Sequence, residues 1–317
     1  MAMNNTMNRR GFAALLGASA IVGHRALAQE TGSPGETGSE LPAADLPSMN
    51  EQGHRFELSS TFEGNFDGVP VEAPVYKMEL PTFTAEQVNE LAERLGIEGE
   101  ADDLSGGSFR VESRDGQLFI TQGRVQYISS AKAEDGDLLD DEAAIATARE
   151  WLRERTLLPA DVGEGTVLTR SESPKRVIVG FQPLQPRPLI SSTPMVSVSM
   201  GANGQVTEAM NGWSKLTQDV VYQLRGADFA WGEVEARRAW VDAKLPTSEF
   251  DPGSTIGGAV VYTQLSLAYT TSGIPGENQY LQPVYVFHGE LTPDGTDSRY
   301  QVRAYVPALI NSNQPVG

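Results

Sequence analysis

The chain has 317 residues, of which 42 are acidic and 24 are basic, giving a formal net charge of -18 and no cysteine. The lack of cysteine excludes disulfides, thiolate nucleophiles and cysteine-ligated zinc or iron–sulfur centres. Phosphate backbones repel a chain this acidic, so we expect no nucleic-acid partner. Only three histidines are present, which argues against a histidine-based triad or a multi-histidine metal site.

The N-terminus carries the pattern of an export signal. Arg9 and Arg10 precede an uncharged stretch, and Ala26 and Ala28 supply small residues for a cleavage site after Ala28. The paired arginines predict a twin-arginine signal, with an ordinary secretory signal as the alternative. The apolar stretch is shorter than the roughly 20 residues that span a bilayer. We therefore expect a mature chain without a transmembrane segment, either secreted or associated with the cell envelope outside the cytoplasm.

The chain after the signal divides into a polar segment and three units of alternating pattern. Residues 29–55 contain little apolar surface, which predicts a disordered linker after the export signal of residues 1–28. Beyond this linker, one helix-period segment precedes several period-2 segments, and this order occurs three times. The predicted units are residues 56–130, 131–226 and 227–312. This order predicts an α+β fold of repeated units, each with one helix packed on an antiparallel β-meander.

The helix predictions rest on capping residues and apolar spacing. Thr84 with Gln87 forms a capping-box pattern before the first apolar stripe. The second helix is predicted to begin at the acidic residues that start with Asp140, because carboxylates favour a helix N-terminus. The third is predicted from Asp228 through Val241, at helical spacing, ending by Pro246.

The densest acidic run suggests a cation site. Asp135, Asp137 and Asp140 offer the hard oxygen ligands that calcium prefers. The run lacks the residue order of an EF-hand loop. The alternative is a solvated turn followed by a helix cap.

Two other side chains are candidates for contact with a ligand or partner. Trp213 follows a predicted strand, so it is a better candidate for an exposed contact than the tryptophans at helical spacing. His288 lies at the end of a predicted strand, where surface hydrogen bonding is the alternative to a functional role. The common hydrolase, metalloprotease and nucleotide-binding motifs are absent. We therefore predict no catalytic residue.

The second unit resembles a known family of extracytoplasmic modules. The segments that carry the likeness are Ala143–Ala146, Trp151–Leu152, Val177–Phe181, Val196–Val198 and Gly201–Val206. Their helix and strand pattern resembles PepSY-type domains and is similar to the YycH and YycI regulators of sensor kinases, mainly over residues 140–245. The resemblance implies a PepSY/cystatin-like architecture and a non-catalytic module that binds a protease or sensor. Those regulators have a membrane anchor, whereas this chain has a predicted cleavable signal.

These observations predict a secreted or envelope-associated binding or regulatory protein. We expect it to act without a cofactor on an extracytoplasmic protein, such as a protease or sensor, or on an envelope component. The alternative is a secreted, carboxylate-dependent hydrolase directed at glycans. That chemistry requires two carboxyl groups roughly 5 to 9.5 Å apart in a cleft.

Overall fold

The chain folds mainly as β-structure. Strands contain 48% of the residues that the structure describes, and helices contain 14%. Those residues all lie within the unit Glu40–Gly317. The computed structural model describes residues 41–46, 52–191, 193–273 and 279–309.

The described residues contain fifteen strands and three α-helices. In chain order these elements are β1 Arg55–Phe62, β2 Glu72–Glu79, α1 Ala85–Arg94, β3 Asp102–Asp103, β4 Phe109–Glu112, β5 Gly116–Thr121, β6 Arg124–Ser129, α2 Asp141–Glu154, β7 Val162–Glu172, β8 Lys175–Pro183, β9 Val196–Met200, β10 Val206–Asn211, β11 Lys215–Gln223, α3 Ala227–Glu235, β12 Trp240–Ala243, β13 Thr255–Ser272, β14 Gln279–Pro293 and β15 Tyr300–Pro307. No helix among these has the length and hydropathy needed to cross a membrane.

The first sheet has eight strands in the order β3-β4-β5-β6-β10-β9-β8-β7. Each neighbouring pair is antiparallel, including β6 and β10, which join two groups of four consecutive strands. At the edge, β7 has two register shifts against β8. Helices α1 and α2 contribute to the apolar core of this sheet through Leu91 and Leu152, which lie in one cluster with Leu118.

The second sheet has seven strands, with the central order β1-β13-β14-β15-β12. Strand β1 pairs with β13 in parallel, whereas β13, β14 and β15 are antiparallel to one another. Strand β2 also pairs with β14, and β11 pairs with β2. The core on one face contains Val234 of α3 together with Leu58, Tyr262 and Phe287.

The predicted arrangement of three repeated helix-on-meander units is wrong, and with it the predicted PepSY/cystatin-like architecture. The first two groups of strands do not form separate sheets, because the edge strands β6 and β10 pair into one continuous sheet. The third helix has no sheet of its own either, because β1, β2 and β11 from earlier in the chain complete the seven-stranded sheet. Pairing between distant strands provides hydrogen-bond partners for the backbone N–H and C=O groups that the edge strands of isolated meanders would leave unpaired.

The capping residues predicted from sequence are confirmed. The Thr84 side chain accepts a hydrogen bond from the Gln87 backbone, and the Gln87 side chain accepts one from the Thr84 backbone. Asp140 is the N-cap of α2 and accepts from the Ala143 backbone at 2.8 Å. The third helix is shorter than predicted, because Arg237 adopts a left-handed backbone with φ of 58° after it. The next residues then form β12, paired with β15.

The described part of the predicted linker lies against the second sheet. Ala44 forms a β-bridge with Ser272, and the buried Gln282 side chain donates to the Pro42 carbonyl at 2.6 Å. Two strands of the sheet are therefore held by a segment that composition alone predicted to be disordered. The predicted signal residues Arg9, Arg10, Ala26 and Ala28 lie outside the described residues.

We predict that Leu118→Ala destabilises the fold by about 2–5 kcal/mol, because its fully buried side chain lies in the core of the eight-stranded sheet. Leu104→Ala is the matched control, since that leucine is 51% exposed, and we expect a change within about 0.5 kcal/mol. Urea unfolding measures both values. Equal losses for the two variants would contradict the described core.

Candidate functional site

An apolar groove lies where the chain passes between the two sheets. One passage, from β2 to α1, contributes Leu80 and Phe83, and the other, from β10 to β11, contributes Trp213. Leu91 of α1 and Leu158 after α2 complete the apolar lining. The volume is about 540 Å³. We call this site the Trp213 groove.

Local hydrogen bonds hold Trp213 in position. The Asn211 side chain accepts a bond from the Trp213 backbone at 2.8 Å and donates one to the Leu157 carbonyl at 3.2 Å. The second bond ties the end of β10 to the segment after α2. Within the described chain, the indole nitrogen of Trp213 has no acceptor, so this donor remains available to a ligand. The half-buried side chain packs on the core of the eight-stranded sheet.

A glycine lets the other passage approach the sheet closely. Gly123 lies in the turn between β5 and β6 with φ of 75°, a left-handed conformation that glycine adopts at low cost. A Cβ atom at this position would collide with the Pro81 carbonyl oxygen. Gly123 and Pro81 both line the groove, so its wall depends on this contact.

Charged side chains surround the apolar lining. Glu79 and Lys215 lie opposite each other on β2 and β11, with a carboxylate to ammonium distance of 3.9 Å. Next to the groove, α1 exposes Glu86, Glu90 and Glu93 at helical spacing. These three residues also line an open depression on the surface of the helix. The charged residues of the groove lining itself are Glu79, Lys215 and Arg94 of α1, whereas the three glutamates lie on the exposed face of α1 outside that lining.

The structure places His288 in the seven-stranded sheet, outside the lining of the Trp213 groove. His288 lies in β14, half-buried, and its Nε2 is 2.8 Å from the Ser266 hydroxyl of β13. Arg303 faces it across the strand pair β14–β15. Burial, with Arg303 as a smaller contribution, lowers the pKa of His288 below its ordinary value of 6.5. The structure therefore does not bring Trp213 and His288, the two predicted contact residues, into one site.

The three predicted calcium ligands have separate local roles. Asp140 caps α2, and the side chain of Asp137, fully exposed, lies 3.7 Å from the Lys175 ammonium. The backbone carbonyl of Asp135 accepts a bond from Asn203, which fastens the acidic loop to the turn between β9 and β10. In the described ranges, no group of three or more histidine, cysteine or acidic side chains could hold a metal ion. Calcium binding by this loop stays a prediction, without a ligand cluster to support it.

Sequence reasoning missed most of the groove and all of a second cavity. Phe83, Leu158 and Leu80 are isolated apolar residues in connecting segments, with no periodic signal. The second cavity is lined by Tyr262, whose fully buried side chain lies in β13. Its residues come from distant parts of the sequence. The signal that could have found the groove was the apolar content of the short connections on either side of Trp213.

Comparisons with known proteins provide little guidance on function. No family model and no curated protein matches the chain. The solved structure of an uncharacterized protein from Eubacterium rectale ATCC 33656 is similar, with a TM-score of 0.41 and 10% sequence identity. The match covers 83% of this chain and 91% of that chain. A functional proposal therefore rests on the residues of this chain.

We predict that His288 makes the fold less stable in acid. Because its pKa is lower in the folded state, the unfolded chain binds the proton more tightly, and stability is lost as the pH falls through 6.5 and below. The free energy of unfolding, measured by urea at about pH 7.5 and about pH 5, should fall less for His288→Gln than for the unchanged protein. An equal fall in both proteins would contradict this assignment.

Proposed function

We propose that this protein binds an extended segment of a partner protein through an apolar anchor in the Trp213 groove and acts by binding alone. The observation that carries this proposal is the apolar groove of about 540 Å³ at the junction of the sheets, with a half-buried tryptophan in its wall. Apolar grooves at such junctions are preferred places for ligands. Partially exposed tryptophans are common among residues that dominate binding energy.

The apolar part of the groove favours an aliphatic or aromatic side chain of the partner. Burial of such a side chain contributes about 1.5–3 kcal/mol. The contact between Gly123 and Pro81 and the hydrogen bonds of Asn211 fix the walls before a partner binds. A preformed site lowers the entropy that association costs.

The exposed glutamates of α1 favour basic residues in the part of the partner segment that lies outside the groove. Glu86, Glu90 and Glu93 form one exposed face of α1 beside the groove, and the whole chain carries a net charge of -18. Complementary charge increases the rate of association and disfavours acidic competitors. We therefore propose a segment with one apolar anchor and flanking lysine or arginine residues.

The N-terminal signal pattern supports a proposal for the cellular context of this binding. We propose that the protein acts outside the cytoplasm, secreted or at the cell envelope, on a protease, a sensor or another envelope component. A regulatory role, which the sequence resemblance of residues 140–245 to PepSY-type and YycI proteins implies, is part of this proposal.

The hydrolase alternative has less support. Among the residues that line the Trp213 groove, Glu79 is the one carboxylate. The cavity lined by Tyr262 has no acidic residue in its lining. The glutamates of α1 lie on an exposed helix face rather than in a closed cleft. Glycoside cleavage needs two opposed carboxyl groups across the scissile bond, so we do not propose it.

We predict that Trp213→Ala weakens binding of selected peptides at least about tenfold, because truncation of a central tryptophan commonly costs about 2 kcal/mol or more. The peptides would come from a random display library selected on the immobilised protein, and calorimetry would measure their affinity. Met210→Ala is the matched control, since Met210 is 50% exposed on neighbouring β10 and does not line the groove. Selection of no peptide, or equal affinity for both variants, would refute the proposal.

We also predict that charge on α1 contributes to recognition. Replacement of Glu86, Glu90 and Glu93 by glutamine should lower the association rate at low salt and flatten its dependence on salt concentration. The control carries Glu57→Gln, Asp67→Asn and Glu72→Gln, which remove the same charge from exposed positions elsewhere. Stopped-flow or surface-based kinetics measure both. The same decrease in both variants would assign the effect to net charge rather than to α1.

A further inference from the structure

A second cavity, of about 240 Å³, lies in the part of the chain that contains the seven-stranded sheet. Phe56 and Leu58 of β1 and Val234 of α3 line it with apolar surface, and they belong to one core cluster. We call it the Tyr262 pocket, after the buried tyrosine of β13 that also lines it. An apolar cavity of about 150 Å³ is large enough for benzene. The Tyr262 pocket therefore has room for one aromatic ring with small substituents.

The hydroxyl group of Tyr262 is buried without a partner. The side chain is 0% exposed, and its oxygen makes no hydrogen bond with the described residues. A buried polar group in this state costs free energy that a ligand acceptor would recover. Burial raises the pKa of Tyr262, so the phenol stays protonated and remains a donor at neutral pH.

Neighbouring rings pack around this donor. The Tyr262 ring packs edge-on against Trp231 and Phe287, with centroid distances of 5.9 Å and 6.2 Å. Ser60 and the buried His54 are further polar residues in the lining. Because the hydroxyl has no accessible surface in the free protein, a ligand contacts it by displacing the side chains that pack around it.

Two arginines mark the solvent side of the pocket. Arg55 and Arg237 line it, and both are exposed. Neither forms an ion pair with a carboxylate of the described chain, although 42 acidic residues are present. By contrast, the adjacent Arg238 forms two bonds of 2.7 Å with Glu233. Two arginines without a carboxylate partner suit an anionic ligand.

We propose that the Tyr262 pocket binds a small aromatic carboxylic acid that carries an oxygen acceptor opposite its carboxylate. The ring lies against the apolar wall, the distal oxygen accepts the hydrogen bond of the Tyr262 hydroxyl, and the carboxylate lies at the arginines. This site is separate from the Trp213 groove. Its test needs no protein partner, so failure of one proposal leaves the other intact.

Three probes of one shape separate the two recognition elements. 4-Hydroxybenzoate carries both the carboxylate and the distal oxygen, benzoate lacks the distal oxygen, and 4-hydroxybenzamide lacks the charge. In titration calorimetry with the purified full chain, 4-hydroxybenzoate should bind more tightly than either benzoate or 4-hydroxybenzamide. No binding of 4-hydroxybenzoate, or equal affinities for all three, would overturn the proposal.

Variants assign each element to its residue. Tyr262→Phe should weaken 4-hydroxybenzoate about five- to tenfold and leave benzoate unchanged, because only the hydroxyl is lost. Arg237→Gln should weaken both carboxylates and leave the amide unchanged. Arg114→Gln removes the same charge at an 85% exposed position far along the sequence, and it should change none of the three affinities. The assignment would be overturned if Tyr262→Phe also weakened benzoate binding, or if Arg237→Gln also weakened binding of the amide.

A stability measurement without ligand completes the test. Because Tyr262→Phe removes an unpaired buried hydroxyl and keeps the ring, we expect the thermal midpoint of the free protein to rise. A rise combined with weaker 4-hydroxybenzoate binding is the signature of a hydroxyl kept for a ligand. A lower midpoint would mean that the hydroxyl already has a partner in the folded protein, and the proposal would fail.

Discussion

The pairing of β2 with β11 fixes the place where the chain passes between the two sheets. These strands belong to opposite passages, one leading into the eight-stranded sheet and one returning from it, and they run side by side from Lys215 opposite Glu79. Both passages therefore meet the eight-stranded sheet at the same place, beside the end of β10. The Trp213 groove is the space that remains between them and the helices. Its position follows from backbone pairing, before any side chain is considered.

The two cavities use different physical means to recognise a ligand. In the Trp213 groove, apolar side chains and a half-buried indole provide contact area for an apolar side chain of the partner. The acidic face of α1 attracts basic residues of the partner at longer range. The Tyr262 pocket is smaller, and we base its proposed selectivity on the buried Tyr262 hydroxyl and on charge. A chain without cysteine and with few histidines still has these means, because recognition requires shape and hydrogen bonds rather than reactive groups.

Local features were predictable from the sequence, whereas strand partners were not. The capping of α1 by Thr84 and of α2 by Asp140 depends on residues within one turn, and these predictions hold. The pairing of β6 with β10 joins residues about 80 positions apart in the chain. No local pattern specifies such a pair, which explains why separate units were predicted. The spacing of Val234 and Val241 fitted a helix, but the left-handed Arg237 ends α3 between them.

The candidate site was predictable only in part, because most of its residues come from segments that are distant in the sequence. Trp213 could be selected because it follows a strand, but its neighbours in the groove come from the connection before α1 and the segment after α2. The significance of Tyr262 depends on what surrounds its oxygen, and composition shows only an apolar strand with a tyrosine. Sequence patterns thus identified one residue of a surface that is built from four separated segments.

The register shifts at the outer strand β7 affect how the protein behaves at high concentration. Val162 to Gly165 and Val167 to Thr169 each interrupt the regular ladder with β8. An irregular edge presents donors and acceptors at uneven spacing, so another molecule finds no continuous template for polymerisation. The eight-stranded sheet thereby ends in a strand that resists fibre growth.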